Sequence, residues 1–433
     1  MSDASTAPDQ TGPLTTADGK PLKAALAAAQ AHRTRRAFYL VAPLLLFVVI
    51  TFLAPIGQML TMSVNNSGFY SWQNRDNGET IPLMVELRDW FDATPAGTEP
   101  DEAAYAALVA GLSHAKEIKA AGQIGTRINY DVSRSRSLFT KTARKAPKLE
   151  PPYKDAVLDV DEDWGNPRLW GAMRNASKAF TIDFYLSALD RTRDDAGNIV
   201  KIDEERAVYL LLFKRTLIMS ALITFLTLLL GFPIAHLLAI LPLRHSNLLM
   251  IFVLLPFWTS LLVRTTSWIV LLQSQGVVND LWVSLGIISD EGRLQMIYNQ
   301  TGTIIAMTHI LLPFMVLPLY SVMRPIDPSY VRAARSLGAT SWTAFRRIYM
   351  PQTIPGIGAG GLLVFILSVG YYITPALVGG STGQLISNLI AFHMQNSLNW
   401  SLAAALASLL LFCVLLLYWL YDRLIGIDNL KLG

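Results

Sequence analysis

An arginine within an apolar run is the most chemically conspicuous residue of this 433-residue sequence. Arg264 interrupts the stretch from Leu248 to Leu272, and an ionised side chain inside such a stretch is costly and usually faces a cavity or a partner. It suits binding a carboxylate or holding an acid in an inner cavity; attracting a cation directly is physically odd, because like charges repel. Snorkelling toward headgroups is the plainer account. Trp258, Trp268, Tyr371 and Tyr372 would offer an ammonium group an aromatic surface by cation–π attraction, although an interfacial belt or helix packing also explains them. His309 and His393 have no partner at metal-ligand spacing and read as structural. Cys413, the one cysteine, lies in an apolar run, reads as a packing residue and allows no internal disulfide. There is no G-x-x-x-x-G-K-[ST] run, zinc signature, nucleophile elbow or Rossmann fingerprint. The chain therefore reads as one without enzymatic chemistry, metal or cofactor of its own.

The elements that must position these residues are apolar helices. The composition is 52% hydrophobic and 16% charged, with mean hydropathy +0.36, and a soluble domain is nearer a quarter charged. The small net charge of +4 does not suggest a nucleic-acid binder. A crossing helix needs roughly 20 mainly apolar residues. Six segments meet that need: about Ala37 to Met62, Thr216 to Leu241, Leu248 to Leu272, Thr303 to Met323, Gly356 to Leu377 and Leu402 to Tyr421. The expected fold is an all-α polytopic membrane protein with six transmembrane helices. Gly370 and Pro375 are expected to break or kink the fifth, and irregular backbone at that depth is tolerated only where it faces protein or a cavity.

Orientation follows from flanking charge. Lys20, Lys23, Arg33, Arg35 and Arg36 precede the first segment, which does not read as a cleaved signal, and place the N-terminus inside. Between the fourth and fifth segments lie Arg324, Arg332, Arg335, Arg346 and Arg347 against the single acid Asp327, which is cytoplasmic by the same rule and by counting. Lys214 and Arg215, on the outer side of the second segment, run against it. Residues 1–36 then form a cytoplasmic tail, 37–62 the first helix, 63–207 a large extracytoplasmic insertion, 208–428 a five-helix core and 429–433 a cytoplasmic C-terminus. The insertion is charged, contains Trp72, Trp90, Trp164 and Trp170, and is expected to be mainly helical with long loops. Asp101 to Lys119 has helical periodicity, whereas Arg134 to Pro152 reads as an irregular basic stretch.

The inter-helix stretch DPSYVRAARSLGATSWTAFRRIYMPQTIPG reads as two short helices. Asp327 is a good N-cap with Pro328 at the first helical position. Gly338 suits the left-handed residue that ends that helix. Ser341 is expected to cap the next and Pro351 to end it. Trp342, Phe345 and Ile348 or Tyr349 share one apolar face.

The spacing of Ala333, Ala334, Gly338, Ile348, Met350 and Pro351 resembles the EAA loop of binding-protein-dependent ABC permeases. In that family the loop supplies the coupling helix that docks in a groove of the ATPase. The resemblance marks Arg332, Ala333, Ala334, Leu337, Gly338, Ile348 and Pro351, within the coupling loop 324–355, as ATPase-coupling residues. The family's Glu is Arg332 here, so the contact it makes must differ. PFWTSLLVRTTSWIVLL (256–272), GVVND (276–280), GYYITPALVGG (370–380) and NLIAFHMQNSLNW (388–400) resemble the spermidine/putrescine branch; the long insertion lies outside the resemblance. It implies a type I importer permease in a bacterial inner membrane, for polyamines or a similar small organic cation. Related branches take sulfate, ferric ion, thiamine or amino-acid derivatives, and a membrane sensor or scaffold is the reading from another class. It further implies two copies of an ATPase subunit that bind ATP and Mg, a second permease, a periplasmic substrate-binding protein and no nucleic acid. Pathway candidates are Trp258, Arg264, Trp268, Tyr371, Tyr372 and Pro375.

Overall fold

The structure, a computed structural model, describes residues 22–66, 68–73, 78–194, 197–205 and 207–425. Much of the expected N-terminal tail and the whole C-terminal segment 429–433 lie outside the described residues. The chain divides into two units, Met1–Thr61 and Met62–Gly433.

The first unit is one long apolar helix, α1 (Leu22–Val48) continued through a π turn (Val49–Leu53) into α2 (Ala54–Met62). Its Gln30–Met62 portion is long and apolar enough to cross a membrane. The wide turn stands just before Pro55, with Ala54 donating its N–H to the Val49 carbonyl five residues back. A π turn relaxes the ladder where proline removes a donor and crowds the preceding turn.

The second unit opens with the insertion. It contains β1 (Ser71–Gln73) paired antiparallel with β2 (Thr80–Pro82), then α3 (Val85–Ala93), α4 (Glu102–Glu117), α5 (Ala121–Asn129), α6 (Ser135–Lys145), α7 (Tyr153–Val160), α8 (Pro167–Ala176) and α9 (Asp183–Ala188). A second hairpin, β3 (Arg191–Arg193) with β4 (Ile199–Lys201), follows. The expected helix after Asp101 forms, with the Asp101 carboxylate accepting the Ala104 N–H at 2.9 Å. The expectation of irregular chain from Arg134 to Pro152 is corrected, since most of it is α6. Leu138, Phe139, Thr142 and Ala143 recur at helical spacing and are buried, leaving the basic residues on the outer face; the charge masked the amphipathic stripe. The insertion has its own core, with Trp164, Tyr105, Phe69 and Phe139 fully covered. Aromatic side chains of this size dominate burial in a small domain.

The remaining helices are α10 (Tyr209–Ile240), α11 (Leu243–Trp258), α12 (Leu261–Leu272), α13 (Val277–Ser284), α14 (Gln300–Met323), α15 (Pro328–Ser336), α16 (Ser341–Ala344), α17 (Met350–Gly370), α18 (Ile373–Val378), α19 (Ile386–Gln395) and α20 (Trp400–Ile425). Helices α10, α14 and α17 share one core through Met219, Ile223, Met315, Leu319 and Val364. Gly356 and Gly360, one turn apart, let α17 meet α14 backbone to backbone. A Cβ on Gly356 would stand 3.2 Å from the Pro318 carbonyl, and one on Gly360 3.1 Å from that of Met315.

The third apolar segment, expected as one stretch from Leu248 to Leu272, is not one continuous helix. Leu243–Trp258 and Leu261–Ser284 are two helices bent by 97°. The helix stops after Pro256, where Thr259 and Ser260 turn extended (ψ 146° and 142°) and the Thr259 hydroxyl returns to the Pro256 carbonyl. Among the described residues, five helices are long and apolar enough to cross a membrane, or six with this bent pair as one span.

Candidate coupling and pathway sites

The loop between α14 and α17 is built from local capping. Asp327 Oδ1 accepts the Ser329 N–H at 2.8 Å. That backbone donor holds its carboxyl below the usual range. At the other end of α15, Gly338 N–H bonds the Arg335 carbonyl at 3.0 Å and Ala339 N–H that of Ala334 at 3.1 Å. These two bonds and the Gly338 φ of +91° form a Schellman stop. The next helix is capped by Thr340 rather than Ser341, since the Thr340 hydroxyl accepts the Thr343 N–H at 3.2 Å. Nor does Pro351 end that helix. A π turn (Phe345–Tyr349) precedes it, with Met350 N–H bonded to the Phe345 carbonyl, and Ser341–Gly370 runs as one helix. The chain thus repeats at Pro351 the wide-turn device it uses before Pro55.

Two large apolar side chains stand out on this loop: Leu337 is 90% exposed and Trp342 68%. Around them Arg332, Arg335, Arg346 and Arg347 are exposed, as is Ala333, while Ala334 and Ile348 are partly covered and Pro351 is exposed. Large apolar side chains left exposed on a loop rich in charge are the pattern of a docking surface. Behind it, Trp342 stacks on Phe345 and Phe345 on Tyr349, each at 5.8 Å. The Tyr349 hydroxyl meets His236 Nδ1 at 2.9 Å, and Phe345 packs edge-on against Phe232. This column links the exposed loop directly to α10. Arg324 adds a second link, donating to the Ala239 and Leu241 carbonyls at 2.6 and 3.0 Å, where a cation stabilises a helix C-terminus. His236 carries no local sequence signal for this role, because its partner lies 113 residues away.

The pathway candidates separate into groups. Trp268 donates its indole N–H to His309 Nδ1 at 3.2 Å, and Arg264 lies within electrostatic reach of both His309 and Tyr371. The Thr265 and Thr374 hydroxyls meet at 3.3 Å between α12 and α18. Helix α17 stops at Gly370, where the expected break occurs, and Tyr371 is extended (φ −75°, ψ 131°). The freed carbonyls of Tyr371 and Tyr372 accept Ser387 Oγ at 2.6 Å and Asn388 Nδ2 at 2.7 Å from α19. Irregular backbone is thus satisfied by protein at that depth. Pro375 does not break anything, as it is buried within α18. Tyr372 is exposed on the same break, and Trp258 stands apart at the end of α11, 71% exposed. His393, expected as structural, bonds Tyr209 and Ser397 at 3.1 and 2.9 Å.

Residues 213–425 match the family described as binding-protein-dependent transport system inner membrane component. The spermidine/putrescine transport system permease protein PotB of Escherichia coli (strain K12) is 34% identical over 250 residues, covering 57% of this chain and 84% of that protein. The PotB of Haemophilus influenzae is 35% identical over 216 residues, covering 50% of this chain and 75% of that protein. A solved bacterial ABC transporter for the acidic polysaccharide alginate has a chain 23% identical, with TM-score 0.41, covering 50% of this chain and 80% of that one. The insertion from 63 to 207 lies outside the matched family residues. This multi-pass membrane protein belongs to the family of binding-protein-dependent transport system inner membrane components.

Proposed function

We propose that this chain is one of two permease subunits lining the pathway of an ATP-driven importer for polyamines or a similar small organic cation. The observation that carries the coupling half of this reading is the loop from Asp327 to Pro355, which presents Leu337 and Trp342 uncovered beside a rigid aromatic link to α10. Identity to PotB over most of that protein's length supports the substrate class. The arginine-rich loop argues for a cytoplasmic face, which puts the insertion and the binding protein on the opposite side. Two separate ATPase subunits bind ATP and Mg and close on each other. Their closure moves α15 and α16, and the Trp342–Phe345–Tyr349 column passes that movement to α10. The helices then rock between inward and outward openings. A solute shifts that equilibrium only by binding the two states differently.

Uptake of labelled spermidine and putrescine into proteoliposomes holding the whole transporter tests the reading. It predicts ATP-dependent accumulation that requires the loaded binding protein. Recovery of sulfate or another non-cationic solute from that binding protein, with no polyamine uptake, would overturn the substrate class and leave the coupling role standing.

A further inference from the structure

We infer that Arg264 is neutralised in the assembled transporter by a carboxylate of the second permease chain. The inference rests on the proposed reading that two permease chains line one pathway.

Helix α12 has two distinct faces. Leu261, Arg264, Thr265, Trp268 and Leu272 recur at spacings of three and four on the covered side, where Thr265 meets Thr374 and Trp268 meets His309. Leu262, Val263, Thr266 and Val270 occupy the exposed side. A snorkelling arginine extends from the exposed side of its helix, whereas Arg264 lies on the covered side. Its Nε is buried without a hydrogen-bond partner, while the residue as a whole is partly exposed.

The neighbouring His309 ring is already committed. His309 Nδ1 accepts the Trp268 N–H, which leaves the neutral ring's proton on Nε2 and no lone pair for a cation. The acids of the helical core among the described residues are Asp280, Asp290, Glu291, Asp327 and Asp422. Asp280 and Asp290 each hold Arg293 at 2.7 Å, and Asp327 caps α15. Glu291 lies beside Asp290 in the turn Asp290–Gly292, and Asp422 lies near the end of α20. Among the described residues Arg264 forms no ion pair, and an unpaired guanidinium with a buried nitrogen is costly. A cationic solute would repel it. With no carboxylate of the described helical core recorded against it, the counter-charge is assigned to another chain, and on the two-chain reading that chain is the second permease.

The test uses the whole complex in a Cys413→Ser background. Zero-length carbodiimide treatment of R264K complexes, with peptide mapping by mass spectrometry, reports which carboxylate lies against the introduced amine. The expected result is one amide to an acid of the second permease, absent in R264Q. R264K should retain that chain on purification, whereas R264Q and R264E should retain about 30-fold less. Equal retention by R264Q with no inter-chain amide would overturn the inference, as would an amide within this chain. If wild-type chain recovers the ATPase but no second permease, the two-chain reading fails and takes the inference with it.

Discussion

Leu337 and Trp342 are large apolar side chains that the chain leaves uncovered on a loop carrying four exposed arginines. An anchor of this kind commonly contributes about 2 kcal/mol or more to an interface. Trp342→Ala should therefore weaken ATPase binding about 30-fold while lowering the permease's own thermal midpoint only slightly, through loss of the stack on Phe345, as biolayer interferometry and a thermal-shift assay would show. Asp327 gives this surface a pH dependence of known sign. The Ser329 N–H lowers its folded pKa, so its capping contribution is complete above the unfolded carboxylate value of about 3.9 and is lost as pH falls through the lower folded value. ATPase docking should be flat with respect to this group from neutral pH to mild acid. Asp327→Asn should cap without any acid loss, and an acid loss of equal size in that variant would count against this origin.

At the scale of elements, capping chemistry was the most legible feature of the sequence. Asp327, Pro328 and Gly338 each do what their residue type dictates, because the forces concerned act within one turn. Thr340 took the cap expected of Ser341, an ambiguity of one residue between two equivalent hydroxyls. Pro351 does not end its helix because proline's helix-breaking tendency assumes an α ladder, and the π turn before it removes that constraint. The His236–Tyr349 and Trp268–His309 pairs were beyond reading, since their partners come together only when distant helices pack. Packing also yields an element-scale prediction. Gly360 faces the Met315 backbone with no room for a side chain, so Gly360→Leu should separate α14 from α17 and cost about 1–3 kcal/mol. The check is the thermal midpoint of the detergent-solubilised chain, which should fall; an unchanged midpoint would mean the two helices are not held so closely.

Across the whole second unit, the insertion is fastened to the helical core rather than merely tethered to it. Phe184 and Ala188 of α9 pack with Phe213, Ile386, Leu402 and Leu406. The Tyr185 hydroxyl bridges Ser63 and Ser408 at 2.8 Å each. Asp190, in a left-handed conformation with φ +53°, caps α10 by accepting the Tyr209 and Leu210 N–H groups at 3.0 and 2.8 Å. Sequence division near residue 207 follows hydropathy and so passes between these partners. Asp190→Ala should destabilise the chain by about 2 kcal/mol, read from chemical denaturation, whereas Asp190→Asn should recover part of that loss. Equal effects of the two substitutions would assign the loss to backbone conformation instead of the cap.

The account turns on the loop from Asp327 to Pro355 docking a separate ATPase, and the single natural cysteine makes this directly measurable. In a Cys413→Ser background, Leu337→Cys should form a disulfide with single cysteines placed across one surface groove of the ATPase. Nucleotide should change the yield as the complex closes. A complex that assembles and hydrolyses ATP yet gives no cross-link from this position to any ATPase cysteine would contradict the coupling role.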